Sequence, residues 1–189
     1  FALGLDDVFV EFLRFYPSEQ ERDALYAAVT HALRFETEQI RADAAAVRAW
    51  CLGKTEQDVF DAAQAGVGPV GTALAQAARG FPVDDWFYSR LFGVGLIRVM
   101  AAVGVELTVT DMERWTDTLQ LPKNKLAIEM ATYISTTERL KQAEQMFAEI
   151  AARDARKTAE RLAEKAKAAK AAADALEDPA AGGPPDRGD

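Results

Sequence analysis

Residues 87–100 form an apolar run that is too broad for one face of an amphipathic helix. A half-buried strand alternates polar and apolar side chains, and this run does not. At helical spacing its apolar residues cover most of the circumference, and a helix that is apolar nearly all round belongs at the centre of a bundle. We therefore predict a buried central helix, beginning near Asp84–Asp85, whose apolar positions are Phe87, Leu91, Phe92, Val94, Leu96, Ile97, Val99 and Met100.

Two glycines, Gly93 and Gly95, interrupt this run. Each costs about 1 kcal/mol of helix propensity relative to alanine, and close approach of another element is the usual reason for a glycine inside a helix. A phosphate-binding loop is the alternative, but no third glycine follows at the required spacing and no strand precedes the pair. We predict that the glycines serve helix packing.

Arg90 and Arg98 are the charged residues of the run, eight positions apart and therefore close to one helical face. Because a helix this apolar should not leave a guanidinium unpaired, we expect Arg90 to be held by a carboxylate or by carbonyl groups at a helix C-terminus. Replacing Arg90 with Met is then expected to lower stability by several kcal/mol. The alternative is that Arg90, with Tyr88, is an exposed residue that recognises a partner.

Helical periodicity and capping signals recur along the rest of the chain. Ser18 with Glu21, and Thr110 with Glu113, have the spacing of capping boxes. The sequence therefore predicts an all-α fold, a compact helical bundle with a long projecting C-terminal helix. We place the bundle body at 1–121, the C-terminal helix at 122–178 and a disordered tail at 179–189. Within the body we predict helices over 2–15, 19–33 and 72–79, and one that is capped by Thr37 and runs to Cys51. Further helices are predicted to start near residues 55, 84 and 110, and residues 66–71 are predicted to form a flexible joint.

The C-terminal helix changes character along its length. A heptad seam runs from Leu126 through Phe147 to about residue 151, so we expect the helix to be packed to about 152 and to project beyond it. Two interpretations of the projecting segment stay open: a solvated tail, or a docking arm for a partner or an anionic membrane surface. As a docking arm it offers the basic residues Arg153, Arg156, Lys157, Arg161, Lys165, Lys167 and Lys170.

Composition excludes several classes of protein. The net charge of −8 argues against a nucleic-acid binder that works through a general basic surface. With one cysteine, Cys51, and one histidine, His31, a zinc site or a Cys/His catalytic pair is nearly excluded. Asp84 and Asp85 point apart on a helix, which disfavours an acid/base pair. We predict no catalytic, cofactor or metal site, a buried structural role for Cys51, and no transmembrane segment.

Several sequence blocks resemble one family. They are Phe1–Gly4 followed by Tyr16–Ser18, Arg41–Ala44 followed by Trp50, the specific run Phe87–Leu96, and the stretch 119–142 that contains Tyr133. Over residues 1–155 the chain is similar to the thylakoid formation proteins, a photosystem II-associated family of plastids and cyanobacteria. The chain departs from the family pattern at Gly93, where an alanine is usual, and in its Ala/Lys-rich tail.

The resemblance implies an all-helical, non-enzymatic factor on the stromal side of the thylakoid membrane. It implies a scaffold or adaptor that supports photosystem II assembly or repair and thylakoid biogenesis, together with the FtsH protease. An Ala-rich composition and a chain that opens without Met favour a chloroplast over a cyanobacterium. Two other functions stay open: peripheral binding at the membrane surface through the basic arm, and an enzyme that has only Arg90, Tyr88 and scattered carboxylates to work with.

Overall fold

A computed structural model of the protein describes residues 1–14, 16, 18–81 and 87–177, with side chains up to residue 173. The described residues form eight α helices and no strand, which confirms the all-α prediction and the long C-terminal helix. The predicted tail 179–189, and parts of the predicted breaks at Pro17 and Pro82, lie outside this description. The helices are α1 (Ala2–Leu13), α2 (Glu19–Ala32), α3 (Thr37–Cys51), α4 (Glu56–Ala65), α5 (Gly68–Gly80), α6 (Arg90–Ala102), α7 (Val109–Leu119) and α8 (Lys123–Glu177).

The chain divides into two compact units, residues 1–137 and residues 138–189. The first holds α1 to α7 and the start of α8, and the described part of the second is the remainder of α8. The domain limits predicted from the sequence, with packing of α8 to about residue 152, stay predictions.

The core of the first unit is built around α6 and α7. Ile97 and Met100 of α6 are completely buried, as is Trp115 of α7, whose ring meets Phe60 edge-on at a centroid distance of 5.2 Å. Leu126 and Met130 from the first turns of α8 are buried in the same cluster. The apolar run therefore lies at the centre of the bundle, as its periodicity predicts.

Glycines set how closely α1 and α6 cross. A Cβ atom on Gly4 would overlap the carbonyl oxygen of Leu91 and lie 2.8 Å from the nitrogen of Gly95. A Cβ atom on Gly95 would in turn lie 3.3 Å from the nitrogen of Gly4. The prediction of close helix packing at Gly95 is confirmed, and its partner is a glycine on α1. Gly93 makes room for the Tyr88 hydroxyl, 2.5 Å from its hypothetical Cβ.

Asp84 and Asp85, where the central helix was predicted to begin, lie outside the described residues. Residues 87–89 are not helical, and α6 begins at Arg90. Ser89 is the N-cap, since its side-chain oxygen accepts a hydrogen bond from the Leu91 amide at 3.2 Å. Phe87, predicted to face the core, is 91% exposed because it lies before the helix.

Other local predictions need correction. The predicted joint over 66–71 is mostly helix, because Pro69 is tolerated in the first turn of α5 after Gly66 ends α4 in the left-handed conformation. The N-cap of α7 is Thr108 and not Thr110, because Thr108 stands three residues before Asp111 and accepts its amide at 3.0 Å. Ser18 caps α2 as predicted, accepting from the Glu21 amide at 3.2 Å.

An ion network joins α1 to the helices around it. Arg48 of α3 contacts both Asp6, at 2.6 Å, and Asp7, and Arg98 of α6 lies 3.1 Å from Asp7. The hydroxyl of Tyr26, from α2, donates to Asp6 at 3.0 Å. Burial, followed by the hydrogen bond to the Asp6 carboxylate, raises the pKa of Tyr26 far above its usual range. The network fixes the rotation of α1 about the glycine crossing.

The capping carboxylates predict a loss of stability in acid. A hydrogen bond from the Thr55 amide lowers the pKa of Asp58, and one from the Thr108 hydroxyl lowers the pKa of Asp111, both from an ordinary value of 3.8. Because each folded-state pKa lies below the unfolded one, this stability is fully present above the unfolded pKa and is lost as pH falls through the folded pKa. Urea unfolding followed from about pH 6 to about pH 2 measures the loss. In Asp58→Asn/Asp111→Asn it should be shallower, and an unchanged pH profile would contradict the capping role.

Candidate partner-binding surface

Four of the basic residues predicted to bind a partner form one row along α8. Arg153, Lys157, Arg161 and Lys165 follow one another at every fourth position, and all four are exposed. Each step advances about 6 Å along the axis, so the row is about 18 Å long. Each step also turns by about 40°, so the row stays on one side of the helix. Arg156 lies outside the row and is 3.7 Å from Glu160.

Glu149, Glu160 and Glu164 of α8 lie three or four positions from cations of the row but do not contact them directly. Among the described residues, none of the four cations has an ion-pair or hydrogen-bond partner. Like charges at i,i+4 destabilise a helix by about 0.2–0.5 kcal/mol per pair, and the row contains three such pairs. An anionic partner would remove this repulsion, whereas an isolated helix keeps it.

An apolar stripe precedes the row on the same side of α8. Phe147 is 59% exposed and Ile150 40% exposed, and the half-buried Leu140 lies two turns before Phe147. Heptad spacing predicts that these residues belong to a packed seam, but such spacing marks an apolar face without showing what covers it. Within the described part of the chain, the buried part of that seam ends at Met130. The surface formed by Leu140, Ala143, Met146, Phe147, Ile150, Arg153, Lys157, Arg161 and Lys165 is named the α8 surface below.

Tyr88 and Arg90 belong to the first unit, where Arg90 begins α6 and Tyr88 lies two residues before it. The Arg90 guanidinium is 3.0 Å from the carboxylate of Glu129, a buried residue of α8. The ammonium of Lys125 lies 5.6 Å from the centre of the Tyr88 ring. Burial, and then the Glu129 carboxylate, raise the pKa of Tyr88 far above its usual range. These contacts join α6 to the first turns of α8; a role for Tyr88 and Arg90 in partner binding stays a prediction.

The pairing expected for Arg90 is confirmed, but its expected contribution to stability was too large. The Arg90 side chain is 74% exposed because it stands in the first turn of α6, so water screens its charge. We now expect Arg90→Met to lower the free energy of unfolding by only about 1 kcal/mol. A double-mutant cycle of Arg90→Met and Glu129→Gln, followed by urea unfolding, measures the interaction between the two side chains. If the two single losses of unfolding free energy add up to the loss in the double variant, the two groups do not interact.

The described residues offer little for catalysis. Cys51 is buried, as predicted, and burial raises the pKa of its thiol, which disfavours the reactive thiolate. Within the described ranges, no group of three or more His, Cys, Asp or Glu side chains is arranged to hold a metal ion. In the same part of the chain, none of the helices is long and apolar enough to cross a membrane.

Several known proteins are similar to this chain. The family model described as "Thylakoid formation protein" matches residues 1–162. The chain is 30% identical over 168 residues to the chloroplastic protein THYLAKOID FORMATION1 of Solanum tuberosum, covering 88% of this chain and 56% of that one. It is 27% identical over 173 residues to protein Thf1 of Synechococcus sp. (strain CC9605), covering 88% and 74%.

A solved structure of Psb29 shares the fold. Its TM-score against this chain is 0.68 at 23% identity, with 84% of this chain and 75% of that one covered. The chain spans about half the length of the plant relatives it matches. The match over 1–162 confirms the resemblance drawn from the sequence blocks and includes most of the α8 surface, ending before Lys165.

Proposed function

Because this chain belongs to the thylakoid formation protein family, we propose that it is a non-enzymatic scaffold for thylakoid biogenesis. In this role it supports photosystem II assembly or repair, in association with the FtsH protease. Its place is the chloroplast, on the stromal side of the thylakoid membrane. The plant relatives are named as chloroplastic proteins, which supports the compartment.

One observation supports assigning the proposed docking role to particular residues, those of the α8 surface. Its apolar stripe and its row of unpaired cations lie on one side of a continuous helix. A protein helix with an apolar stripe followed by acidic residues would cover both parts, as in helix-in-groove and coiled-coil recognition. Leu126 and Met130 bury the first turns of α8 in the core of the first unit.

Co-purification from detergent-solubilised thylakoids tests the proposal. The full chain should retain FtsH or photosystem II subunits, identified by mass spectrometry, and a chain that ends at residue 152 should retain much less. If the shortened chain retains the same proteins in the same amount, the basic row is not the docking element. If the full chain retains neither, the proposed role is wrong.

Peripheral membrane binding is the second candidate, and the basic row favours it. Anionic lipids attract Lys and Arg near the surface by about 1 kcal/mol each. Against it, alanines replace the large apolar residues expected of an inserting helix over most of 151–173. Flotation of the chain with anionic liposomes, reversed by salt, would favour this function, and no flotation at low salt would remove it.

A further inference from the structure

The sulfur-containing side chains differ sharply in their exposure. The chain has four methionines and one cysteine, and all five lie within the described residues. Met100, Met112 and Met130 are 0% exposed, and Cys51 is 2% exposed. Met146 is 54% exposed. An oxidant dissolved in water therefore reaches the Met146 side chain directly, whereas it reaches the other four when the surrounding helices open.

Met146 belongs to the α8 surface and is aligned with its basic row. At about 100° per residue, Arg153 and Lys157 lie within about 20° of Met146 around the helix axis, and Ile150 lies within about 40°. Residues four apart are neighbours on a helix, so Met146 and Ile150 belong to one apolar area directly before the row. A partner helix that covers this apolar area therefore also covers Met146.

Oxidation of the Met146 thioether would make this area polar. Hydrogen peroxide transfers one oxygen atom to the sulfur: the O–O bond breaks, an S–O bond forms, the sulfur loses two electrons, and the rest of the peroxide leaves as water. The sulfoxide oxygen accepts hydrogen bonds, so an apolar partner stripe that covers it leaves it unpaired. A methionine sulfoxide reductase reverses the step, because two thiols are oxidised to a disulfide and the oxygen leaves as water.

We propose that Met146 is a site of reversible oxidation by peroxides, and that its sulfoxide weakens partner binding by the α8 surface. The inference rests on the scaffold function proposed above and gives its docking surface a means of regulation. A bound partner covers Met146, so peroxide oxidises the free chain. The sulfoxide then lowers the affinity of that chain for its next partner, and the reductase restores it.

Peptide mass spectrometry of the peroxide-treated full chain tests the site without a partner. Trypsin releases Met146 in the peptide 142–153, Met130 in 126–139, and Met100 together with Met112 in 99–114, so the sulfoxide at Met146 is measured separately. At low peroxide it should form about tenfold faster than the sulfoxides of the other two peptides. Reductases for both sulfoxide epimers should remove it. Equal rates of oxidation at Met146 and Met130 would overturn the proposal.

Co-purification from solubilised thylakoids tests the effect on binding, with the peroxide removed before the chain meets the extract. The amount of FtsH and photosystem II subunits retained by the unchanged chain should fall by about tenfold after peroxide, and the reductases should restore it. Each variant is compared with its own untreated sample. Peroxide should not change the amount that Met146→Leu retains.

A second variant, Met146→Leu/Ile128→Met, is the matched control for oxidation itself. Ile128 is 61% exposed and is not part of the α8 surface, so this chain carries an exposed methionine at a different place. Peroxide should oxidise it without changing the amount of protein retained. An equal loss of retention after peroxide in this variant, or in Met146→Leu, would overturn the proposal.

The two proposals fail in different ways. If the untreated chain retains FtsH or photosystem II subunits and the Met146 sulfoxide retains the same amount, the scaffold function stands and the proposed effect of oxidation is wrong. If the untreated chain retains neither, the scaffold function is wrong and the regulation of its docking surface falls with it.

Discussion

Gly4→Ala should lower the free energy of unfolding by about 3 kcal/mol, the upper part of the usual range for an overpacked core. The new methyl group would overlap the Leu91 carbonyl oxygen, and a backbone atom has no rotamer by which to move away. Relief requires α1 to shift from α6, which strains the contacts of Asp6 and Asp7 with Arg48. Alanine gains about 1 kcal/mol of helix propensity over glycine, too little to offset the clash.

Gly95→Ala, on the opposite side of the same crossing, is the matched control. Its methyl group would lie 3.3 Å from the Gly4 nitrogen, so a shift of a few tenths of an ångström makes room. The gain in helix propensity roughly offsets that shift, and we expect a change below about 1 kcal/mol. Urea unfolding of both variants measures the difference. Equal effects from Gly4→Ala and Gly95→Ala would contradict the close crossing.

Trp115→Ala should lower the free energy of unfolding by about 3–5 kcal/mol, the usual range for an aromatic residue removed from a core. Trp115 is fully buried, packs edge-on against Phe60, and donates its Nε1–H to the Glu56 carboxylate. The change leaves a cavity between α4 and α7 that the surrounding helices close only in part. Thermal and urea unfolding should both show it.

Trp115→Phe separates packing from the hydrogen bond. Phenylalanine keeps most of the aromatic volume, and Glu56 retains its ion pair with Arg114 at 2.6 Å. We expect a loss of about 1–2 kcal/mol, less than half of that in Trp115→Ala. If Trp115→Ala unfolds at the same urea concentration as the unchanged chain, α7 does not pack on the core as described.

The fold was predictable where one local signal dominated. The run that is apolar all round predicted that α6 lies at the centre, and Ser18 with Glu21 predicted the start of α2. Both signals are local, because a buried helix face and a helix cap each depend on residues close together in the sequence. Where signals competed the prediction failed. Thr110 resembles a helix start as much as Thr108 does, and only the hydrogen bond from the Asp111 amide shows which residue caps α7.

The candidate surfaces were less predictable than the helices. Heptad spacing identified Phe147 as part of an apolar stripe. Whether Phe147 is buried depends on what packs against that stripe, and the sequence of a single chain does not specify this.

Reversal of the α8 charges tests the scaffold role most directly. One variant changes Arg153, Lys157, Arg161 and Lys165 to Glu, and its control changes Lys141, Arg156, Lys167 and Lys170, four exposed cations outside the row, in the same way. Both carry the same net charge, so a general electrostatic effect appears in both. The amount of FtsH and photosystem II subunits retained from solubilised thylakoids should fall sharply in the row variant and change little in the control. Equal retention by the two variants would contradict the assignment of α8 as the docking surface.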